Sequence, residues 1–315
     1  MKTKMCYNIT ICIISYKSGG KYLRLSKLFQ EKECVFSIEV FPPKKNGATP
    51  EQLYPVLKEL AKLSPDYISV TYGAGGGAAG MSTVQIASHL KHELGIEPLA
   101  HLTCVNSTHQ QVEFMAQQLK ENNIENLLAL RGDICPDLPR QTDFTHASDL
   151  AKQLKSIHEF YLAGACYPEG HVECDTLRQD VENLKYKLQA GVEHLVTQLF
   201  FDNACYYRFM NRARKSGIDV PIQAGVMPIV SARQVQRTVA LSSASLPPRF
   251  TKMLSRYDHD EKALFDAGIE YAIEQLRDLI EAGADGVHLY AMNNPEVARR
   301  VYEGIYDLLP ERKQA

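Results

Sequence analysis

The sequence predicts a single (β/α)8 barrel, in which eight strands alternate with eight helices. Short apolar runs alternate along the chain with longer segments whose apolar residues recur at helical spacing. No break in composition divides the chain into separate parts. Polar residues follow most of the apolar runs, which is where the active sites of barrel enzymes lie. A doubly wound open sheet is the main alternative.

The predicted elements follow this alternation from residue 35 onward. The strands are predicted at 35–41, 67–71, 98–103, 126–130, 162–167, 194–200, 220–225 and 286–290. The helices are predicted at 49–63, 108–122, 147–161, 176–190, 203–216, 231–241, 261–281 and 295–309. In the first of these helices Thr49 is a capping residue, and Leu53, Leu57 and Leu60 recur at helical spacing. Segment 242–257, which contains two adjacent prolines, is expected to be an extra segment before the last barrel helix.

Composition and charge narrow the possible classes of function. The chain has 315 residues, of which 45% are hydrophobic and 23% charged, enough to bury a full core. The formal net charge of -2 implies no strongly basic face, so no nucleic-acid partner is expected. The eight cysteines are scattered without a Cys-x-x-Cys pair, which favours a reducing cytosol over a disulfide framework. His171 and Cys174 lack a second ligand pair, so no metal site is expected.

The N-terminal segment does not resemble a signal peptide. Residues 5–16 are moderately apolar, but Asn8 and Thr10 interrupt them, and no clear small-residue cleavage site follows. No other stretch approaches the length of a membrane span. We therefore interpret residues 1–34 as a partly disordered lead-in, and residues 35–310 as the barrel.

Glu39 is the strongest catalytic candidate. Strand side chains alternate between two faces, so Phe36, Ile38 and Val40 share one face while Ser37 and Glu39 share the other. A carboxylate among apolar neighbours costs free energy to bury unless it is paired or protonated. Apolar surroundings favour the protonated form of a carboxylic acid, which suits a general acid. A salt bridge to a neighbouring strand is the alternative role.

Other polar residues stand where the predicted strands end. If the chain forms a barrel, they meet at the C-terminal rim. Any one of them could be a hydrogen-bonded structural group, but so many at one rim indicate a site. They are Thr71, Tyr72, His101, Thr103, Arg131, Gly132, Asp133, Tyr167, Gln198 and Tyr290.

The glycine-rich segment 73–78 matches the Gly-x-Gly-x-x-Ala pattern of dinucleotide-binding folds. Such a fold also needs an acidic residue at the end of the next strand, to bind the ribose. The next predicted strand ends at His101, Leu102 and Thr103, without an acid. We therefore expect segment 73–78 to be a mobile loop at the mouth of the barrel.

Six motifs in a fixed order resemble the methylenetetrahydrofolate reductase family, in its short bacterial form. The similarity runs from about residue 36 to residue 309 and is carried by segments 36–43, 69–74, 101–104, 129–133, 167–169 and 197–202. The resemblance implies a barrel that holds non-covalent FAD and binds folate. It also implies reduction of 5,10-methylenetetrahydrofolate to 5-methyltetrahydrofolate by NADH or NADPH, with ping-pong hydride transfer through FAD, in a pathway that feeds methionine synthesis.

The resemblance also implies roles for individual residues. Glu39 would donate a proton to the folate, Asp133 would lie beside the flavin and the pterin, and Gln198 and Tyr290 would contact the substrate. The positions implied to hold FAD are Thr71, Tyr72, Ala74, His101, Arg131, Gly132, Asp133, Tyr167, His171, Asp180, Asn183 and Lys187.

The chain departs from the family at Tyr186 and Asn294, which stand where the family often has arginine. Because asparagine offers a carboxylate only neutral hydrogen bonds, Asn294 predicts weak dependence of binding on the folate's glutamate tail. Two alternative functions stay open. One is another FAD barrel oxidoreductase of the proline dehydrogenase type, and the other is a folate-binding or electron-transfer subunit that needs a partner. We expect a cytoplasmic homo-oligomer with no membrane partner.

Overall fold

The fold is a closed barrel of eight parallel strands, which follow one another in chain order. This confirms the predicted (β/α)8 architecture. The computed structural model describes residues 25–43, 48–72, 77–133, 141–235, 238, 244–257 and 259–309. Residues 73–76 of the glycine-rich segment, which include Ala74, and most of the end of the helix predicted at 231–241 lie outside these residues.

The elements have the following bounds. The strands are β1 Val35–Val40, β2 Tyr67–Val70, β3 Pro98–Thr103, β4 Asn126–Leu130, β5 Tyr161–Cys166, β6 Val192–Thr197, β7 Ile222–Val226 and β8 Gly286–Leu289. The helices are α1 Leu25–Glu31, α2 Tyr54–Ala61, α3 Gly77–His92, α4 His109–Glu121, α5 Ala147–Ile157, α6 Leu177–Gln189, α7 Asn203–Lys215, α8 Pro248–Arg256, α9 Glu261–Glu281 and α10 Pro295–Ile305. Short 3-10 helices occupy Pro50–Leu53 and Tyr306–Leu308.

Strand β1 shows how alternation separates the core from the site. Phe36, Ile38 and Val40 are buried in the large apolar cluster between the strands and the outer helices. Ser37 lies opposite His288 where β1 pairs with β8 and closes the barrel. Glu39, two residues further on, lines the cavity at the barrel mouth. The predicted division of this strand into two faces is therefore confirmed.

Helix α1 lies upstream of the predicted start of the barrel, within the segment interpreted as a lead-in. Leu25 and Leu28 are fully buried against residues near the starts of the strands, including Val35 and Tyr67. The Leu25 backbone N–H donates to Asn126 Oδ1 at 3.1 Å. Helix α1 therefore fills the N-terminal end of the barrel, opposite the rim where the site lies.

The end of β6 differs from the prediction for a packing reason, and two helices besides α1 add to the predicted set. Strand β6 ends at Thr197, three residues before the predicted end. The apolar residues that follow it, Leu199 and Phe201, are buried with Phe250 of α8 in a separate cluster outside the strand. Helix α8 lies inside the predicted extra segment at 242–257. Helix α3 is an element that the helix prediction omitted, although the segment before it was placed between a strand and a helix.

Candidate active site

A cavity of about 440 Å³ opens at the C-terminal rim of the barrel. It brings together residues from several separate strand ends, as expected for a barrel enzyme. The predicted site residues that line it are Glu39, Thr71, Tyr72, His101, Thr103, Arg131, Gly132, Asp133, Tyr167, His171, Gln198 and Tyr290.

Glu39 is a half-buried carboxylate between two imidazole rings. Its side chain is 21% exposed, and its Oε2 lies 3.7 Å from His101 Nε2 and 3.8 Å from His288 Nε2. Burial lowers the pKa of His101 to about 4, although the nearby Glu39 opposes this shift, so the ring is neutral near pH 7. His101 Nε2 has no hydrogen-bond partner within the described residues. Glu39 therefore faces a neutral His101 and not a charged one, which disfavours a structural salt bridge between them.

His288 lines the same cavity and was missed by the sequence analysis. Its ring belongs to a buried hydrogen-bond network inside the barrel. His288 Nδ1 lies 2.6 Å from Ser37 Oγ, and Ser37 Oγ accepts from Gln223 Nε2 at 3.2 Å. The Tyr67 hydroxyl donates to Gln223 Oε1. Alternation along β8 could have found His288, because it lies two residues before Tyr290, which was selected.

A second cavity of about 480 Å³ adjoins the first and contains the rest of the described FAD candidates. Asp180, Asn183 and Lys187 of α6 line it. Arg131 and Tyr167, among others, line both cavities, so the two form one elongated cleft. Residues that line the second cavity but are not among the predicted site residues are Ala129, Leu130, His146, Ala147, Ser148, Asp149, Lys152, Ala165, Glu173, Cys174, Leu184 and Tyr186.

Two cationic groups of the second cavity, Arg131 and Lys187, already have partners. Arg131 forms a two-pronged ion pair with Glu173, with N–O distances of 2.5 and 2.8 Å, and these hydrogen bonds raise the pKa of Arg131. Lys187 Nζ donates to the Ala165 carbonyl at 2.6 Å, while burial lowers the pKa of Lys187. An anionic ligand bound to Arg131 would therefore have to replace Glu173.

Two backbone features shape the rim. Gly132 has a φ of +85°, and a Cβ there would lie 2.9 Å from Thr103 Cβ, so the turn after β4 requires glycine. Met292 and Asn293, after β8, have φ values of +55° and +56°, which are uncommon outside glycine. The Asn293 side chain accepts from Phe41 N at 3.0 Å and donates to Phe41 O at 2.8 Å, which ties this turn to the end of β1.

Asn294, the next residue, has a structural role. Its side-chain oxygen accepts hydrogen bonds from Glu296 N at 3.0 Å and Val297 N at 3.3 Å, so it caps the N-terminus of α10. The position that the family resemblance connects with the folate tail is therefore occupied by a helix cap.

Neither a metal centre nor a membrane span is found in the part of the chain that the structure describes. These residues contain no group of three histidine, cysteine or acidic side chains placed to hold a metal ion. None of their helices combines the length and the apolar character that crossing a bilayer requires.

The fold and the site together define a class. The chain is a (β/α)8-barrel protein with a half-buried acid at its mouth and an elongated cleft beside it. The family model for methylenetetrahydrofolate reductase matches residues 24–305. The chain therefore belongs to the methylenetetrahydrofolate reductase family, which confirms the resemblance drawn from the sequence motifs.

Individual relatives agree with the family match. The 5,10-methylenetetrahydrofolate reductase of Pectobacterium carotovorum is 34% identical over 262 residues, covering 83% of this chain and 87% of the relative. The enzyme of the same name from Escherichia coli K12 is 32% identical over the same shares of the two chains. Methylenetetrahydrofolate reductase (NADH) 1 of Arabidopsis thaliana is 30% identical across 86% of this chain but only 48% of its own length.

A solved structure also shares the fold. It is an uncharacterized protein from Clostridium thermocellum that binds two copies of 5-methyl-5,6,7,8-tetrahydrofolic acid. It superposes with a TM-score of 0.62, at 12% identity, over 91% of this chain and 99% of its own. At this low identity the likeness concerns the barrel alone.

Proposed function

We propose that this chain reduces 5,10-methylenetetrahydrofolate to 5-methyltetrahydrofolate with NADH or NADPH, using non-covalent FAD held at the barrel mouth. The observation that carries the proposal is the position of Glu39, a half-buried carboxylate 3.7 Å from a neutral imidazole in the rim cavity. Membership of the methylenetetrahydrofolate reductase family supports the substrate, since relatives that match most of this chain carry that name.

The size of the cleft supports the binding of a large dinucleotide such as FAD. Its two adjoining cavities, of about 440 and 480 Å³, are each within the range of ordinary ligand pockets. His101 Nε2 is a buried polar atom without a partner among the described residues, and such atoms indicate a missing ligand or water. When bound, FAD supplies the chemistry of carrying a hydride from the nicotinamide to the folate.

The residues proposed to hold FAD divide between the two cavities. The guanidinium of Arg131 and the ammonium of Lys187 are suited to the pyrophosphate. In the described part of the chain the set is Thr71, Tyr72, His101, Arg131, Gly132, Asp133, Tyr167, His171, Asp180, Asn183 and Lys187, and Ala74 belongs to it by family resemblance.

Glu39 is proposed as the general acid that opens the folate's five-membered ring. The bond between the methylene carbon and N10 breaks, and its electron pair stays on N10, which takes the proton from Glu39. This leaves an iminium at N5 whose methylene carbon can accept a hydride. Glu39 becomes a carboxylate in this step and regains its proton from water before the next turnover.

Two further residues are proposed to bind the folate, together with Tyr290. Asp133 lines the cavity from the turn after β4, where its carboxylate can accept hydrogen bonds from the pterin. The oxygen of the Gln198 amide accepts from Leu199 N at 2.9 Å, so its NH2 group is left as a donor to a ligand. Because folate and nicotinamide would occupy the same cavity in turn, Gln198 is proposed to meet both.

We also propose that the chain is cytoplasmic and that it assembles with copies of itself. The five cysteines in the described residues are all free, which fits a reducing cytoplasm. A homo-oligomer is proposed from the sequence, and light scattering of the purified chain would measure its mass directly.

An anaerobic absorbance titration tests the function. We expect the purified chain to be yellow with bound FAD, to lose its flavin absorbance on adding NADH or NADPH, and to regain it on adding methylenetetrahydrofolate. Tetrahydrofolate without the methylene bridge is the control and should not restore the absorbance. Bound FAD that responds to NADH but not to methylenetetrahydrofolate would favour a different barrel oxidoreductase. Bound FAD that neither nucleotide reduces would favour a subunit that needs a partner.

A further inference from the structure

The hydrogen-bond network beneath Glu39 constrains which ring nitrogen of His288 carries a proton. Ser37, Gln223, His288 and Tyr67 are all buried in the barrel interior. Because they are shielded from water, each polar atom depends on its neighbours for hydrogen bonds, and donors and acceptors can be assigned one by one.

The amide of Gln223 can take only one orientation. One of its two terminal atoms lies 3.3 Å from the Val35 carbonyl oxygen and 3.5 Å from the Val287 carbonyl oxygen. Two carbonyl oxygens would repel the amide oxygen, so this atom is the NH2 group. The amide oxygen therefore accepts from the Tyr67 hydroxyl, which lies on the other side.

This orientation determines the next bond in the chain. The Gln223 NH2 donates to Ser37 Oγ at 3.2 Å, so Ser37 Oγ is an acceptor on that side. The Ser37 hydroxyl proton has three acceptors within reach: His288 Nδ1 at 2.6 Å, the Val287 carbonyl at 3.5 Å, and the Tyr67 hydroxyl oxygen, with which Ser37 also forms a hydrogen bond. At 2.6 Å the contact with His288 Nδ1 is shorter than usual for a bond that an N–H donates and normal for one that an O–H donates, so we assign Ser37 as the donor to His288 Nδ1.

A neutral imidazole carries one proton, so an acceptor at Nδ1 requires a proton at Nε2. His288 Nε2 lies 3.3 Å from Ser69 Oγ and 3.8 Å from Glu39 Oε2. The network therefore places an N–H donor beside the acid. Catalytic hydrogen bonds are often long without ligand and shorten in the reacting complex.

We propose that His288 is a positioning residue, held by Ser37 as the Nε2–H tautomer so that it can hydrogen-bond the Glu39 carboxylate once that acid has given up its proton. No proton leaves His288 in this step, and its N–H stabilises the negative charge that appears on Glu39. This inference rests on the proposed function for its timing, but the tautomer is a property of the chain alone.

The tautomer is tested first, without cofactor or substrate. The 15N chemical shifts of imidazole nitrogens distinguish protonated from unprotonated atoms, and loss of one signal pair in His288→Gln assigns the residue. We expect a protonated Nε2 and an unprotonated Nδ1 in the wild type, and a population with protonated Nδ1 in Ser37→Ala. A protonated Nδ1 in the wild type would overturn the inference and leave the proposed reductase function unaffected.

The role is tested with two variants that each keep one half of the ring's hydrogen bonding. Glutamine can place an amide N–H near the position of Nε2, whereas asparagine reaches only to the position of Nδ1. We expect His288→Asn to slow methylenetetrahydrofolate reduction in single turnover by roughly 10- to 100-fold, the effect of one hydrogen bond to a charged group. His288→Gln should retain most of the rate, and reduction of bound FAD by NADH should be unchanged in both.

His194→Gln is the matched control, because His194 is an equally buried barrel histidine whose ring packs on Phe29 and Tyr161. It should not change the folate step. Equal rates in His288→Asn and the wild type, or equal losses in both half-reactions, would exclude the positioning role. If His288→Asn fails to fold, the tautomer measurement still decides. A wild type that binds FAD but cannot reduce methylenetetrahydrofolate refutes the proposed function instead.

Discussion

At the scale of single residues, Glu39 gives the most direct test of the proposed chemistry. Glutamine nearly reproduces the shape of this side chain but has no carboxylic proton to donate. We expect Glu39→Gln to bind FAD and to oxidise NADH normally, while folate reduction falls by about 10²- to 10⁴-fold, the usual contribution of a general acid. Rapid-mixing absorbance of each half-reaction measures this. Folate-dependent reoxidation at the wild-type rate would show that another group supplies the proton.

Asp133 is expected to separate the half-reactions in a different way. Its carboxylate lines the rim cavity, and a negative charge beside bound FAD opposes the electrons that the cofactor gains. Asp133→Asn should therefore raise the midpoint potential, slow the donation of hydride to folate and affect reduction by NADH less. Spectroelectrochemical titration measures the potential, and an unchanged or lower value would contradict the electrostatic role.

The sequence predicted most of the rim residues but not how they are connected. Glu39, Asp133 and Gln198 could be selected because they stand at strand ends. His288 lies two residues before the predicted end of its strand, so its position alone does not distinguish it from an ordinary strand residue. Its importance comes from Ser37 and Gln223, which are distant in sequence and meet it only when the barrel closes.

At the scale of elements, Asn294 links a functional prediction to the start of α10. Asn294→Arg adds a cation that could pair with the folate's glutamate tail, but it removes the helix cap. We expect the substitution to lower the free energy of unfolding by about 0.5–2 kcal/mol. We also expect it to lower KM for monoglutamate methylenetetrahydrofolate, with kcat little changed.

Asn294→Ser is the matched control, because serine keeps the cap without adding charge. It should leave both stability and KM near the wild-type values. An unchanged KM in Asn294→Arg, together with a large increase in Arg249→Ala or Arg256→Ala, would show that another cation binds the tail. Arg249 is already paired with Glu274, and neither arginine lines the two rim cavities.

Element boundaries were predictable where amphipathic patterns were strong. The bounds predicted for β3, β4 and α9 agree with those observed. Helix α3 is rich in small residues and its apolar pattern is weak, so periodicity did not identify it. Helix α1 buries only Leu25 and Leu28, and two apolar residues are too short a pattern to predict a helix from the sequence.

At the scale of the whole molecule, buried histidines make stability depend on pH. Burial lowers the pKa of His194 from 6.5 to about 3, so the folded chain leaves it neutral where the unfolded chain protonates it. The stability that depends on a neutral His194 is complete above 6.5, the pKa of this residue in the unfolded chain. It is lost as the pH falls from 6.5 toward 3. At about pH 5.5 the protonation of His194 in the unfolded chain lowers the free energy of unfolding by about 1.4 kcal/mol.

His194→Phe keeps a ring between Phe29 and Tyr161 but removes the titrating group. Between about pH 7.5 and pH 5.5, the loss in free energy of unfolding should be smaller in this variant by about 1.4 kcal/mol. Urea unfolding at the two pH values measures the difference. Equal losses in the variant and the wild type would show that His194 is protonated in the folded chain.

Because α1 fills the N-terminal end of the barrel, small molecules are restricted in how they reach the site. With Leu25 and Leu28 packed across the strand starts, small molecules reach Glu39 from the rim. Two reactants that share one entrance exclude each other, so an excess of either should inhibit the enzyme by blocking the other. A flat aromatic molecule that binds at this entrance should for the same reason compete with both reactants.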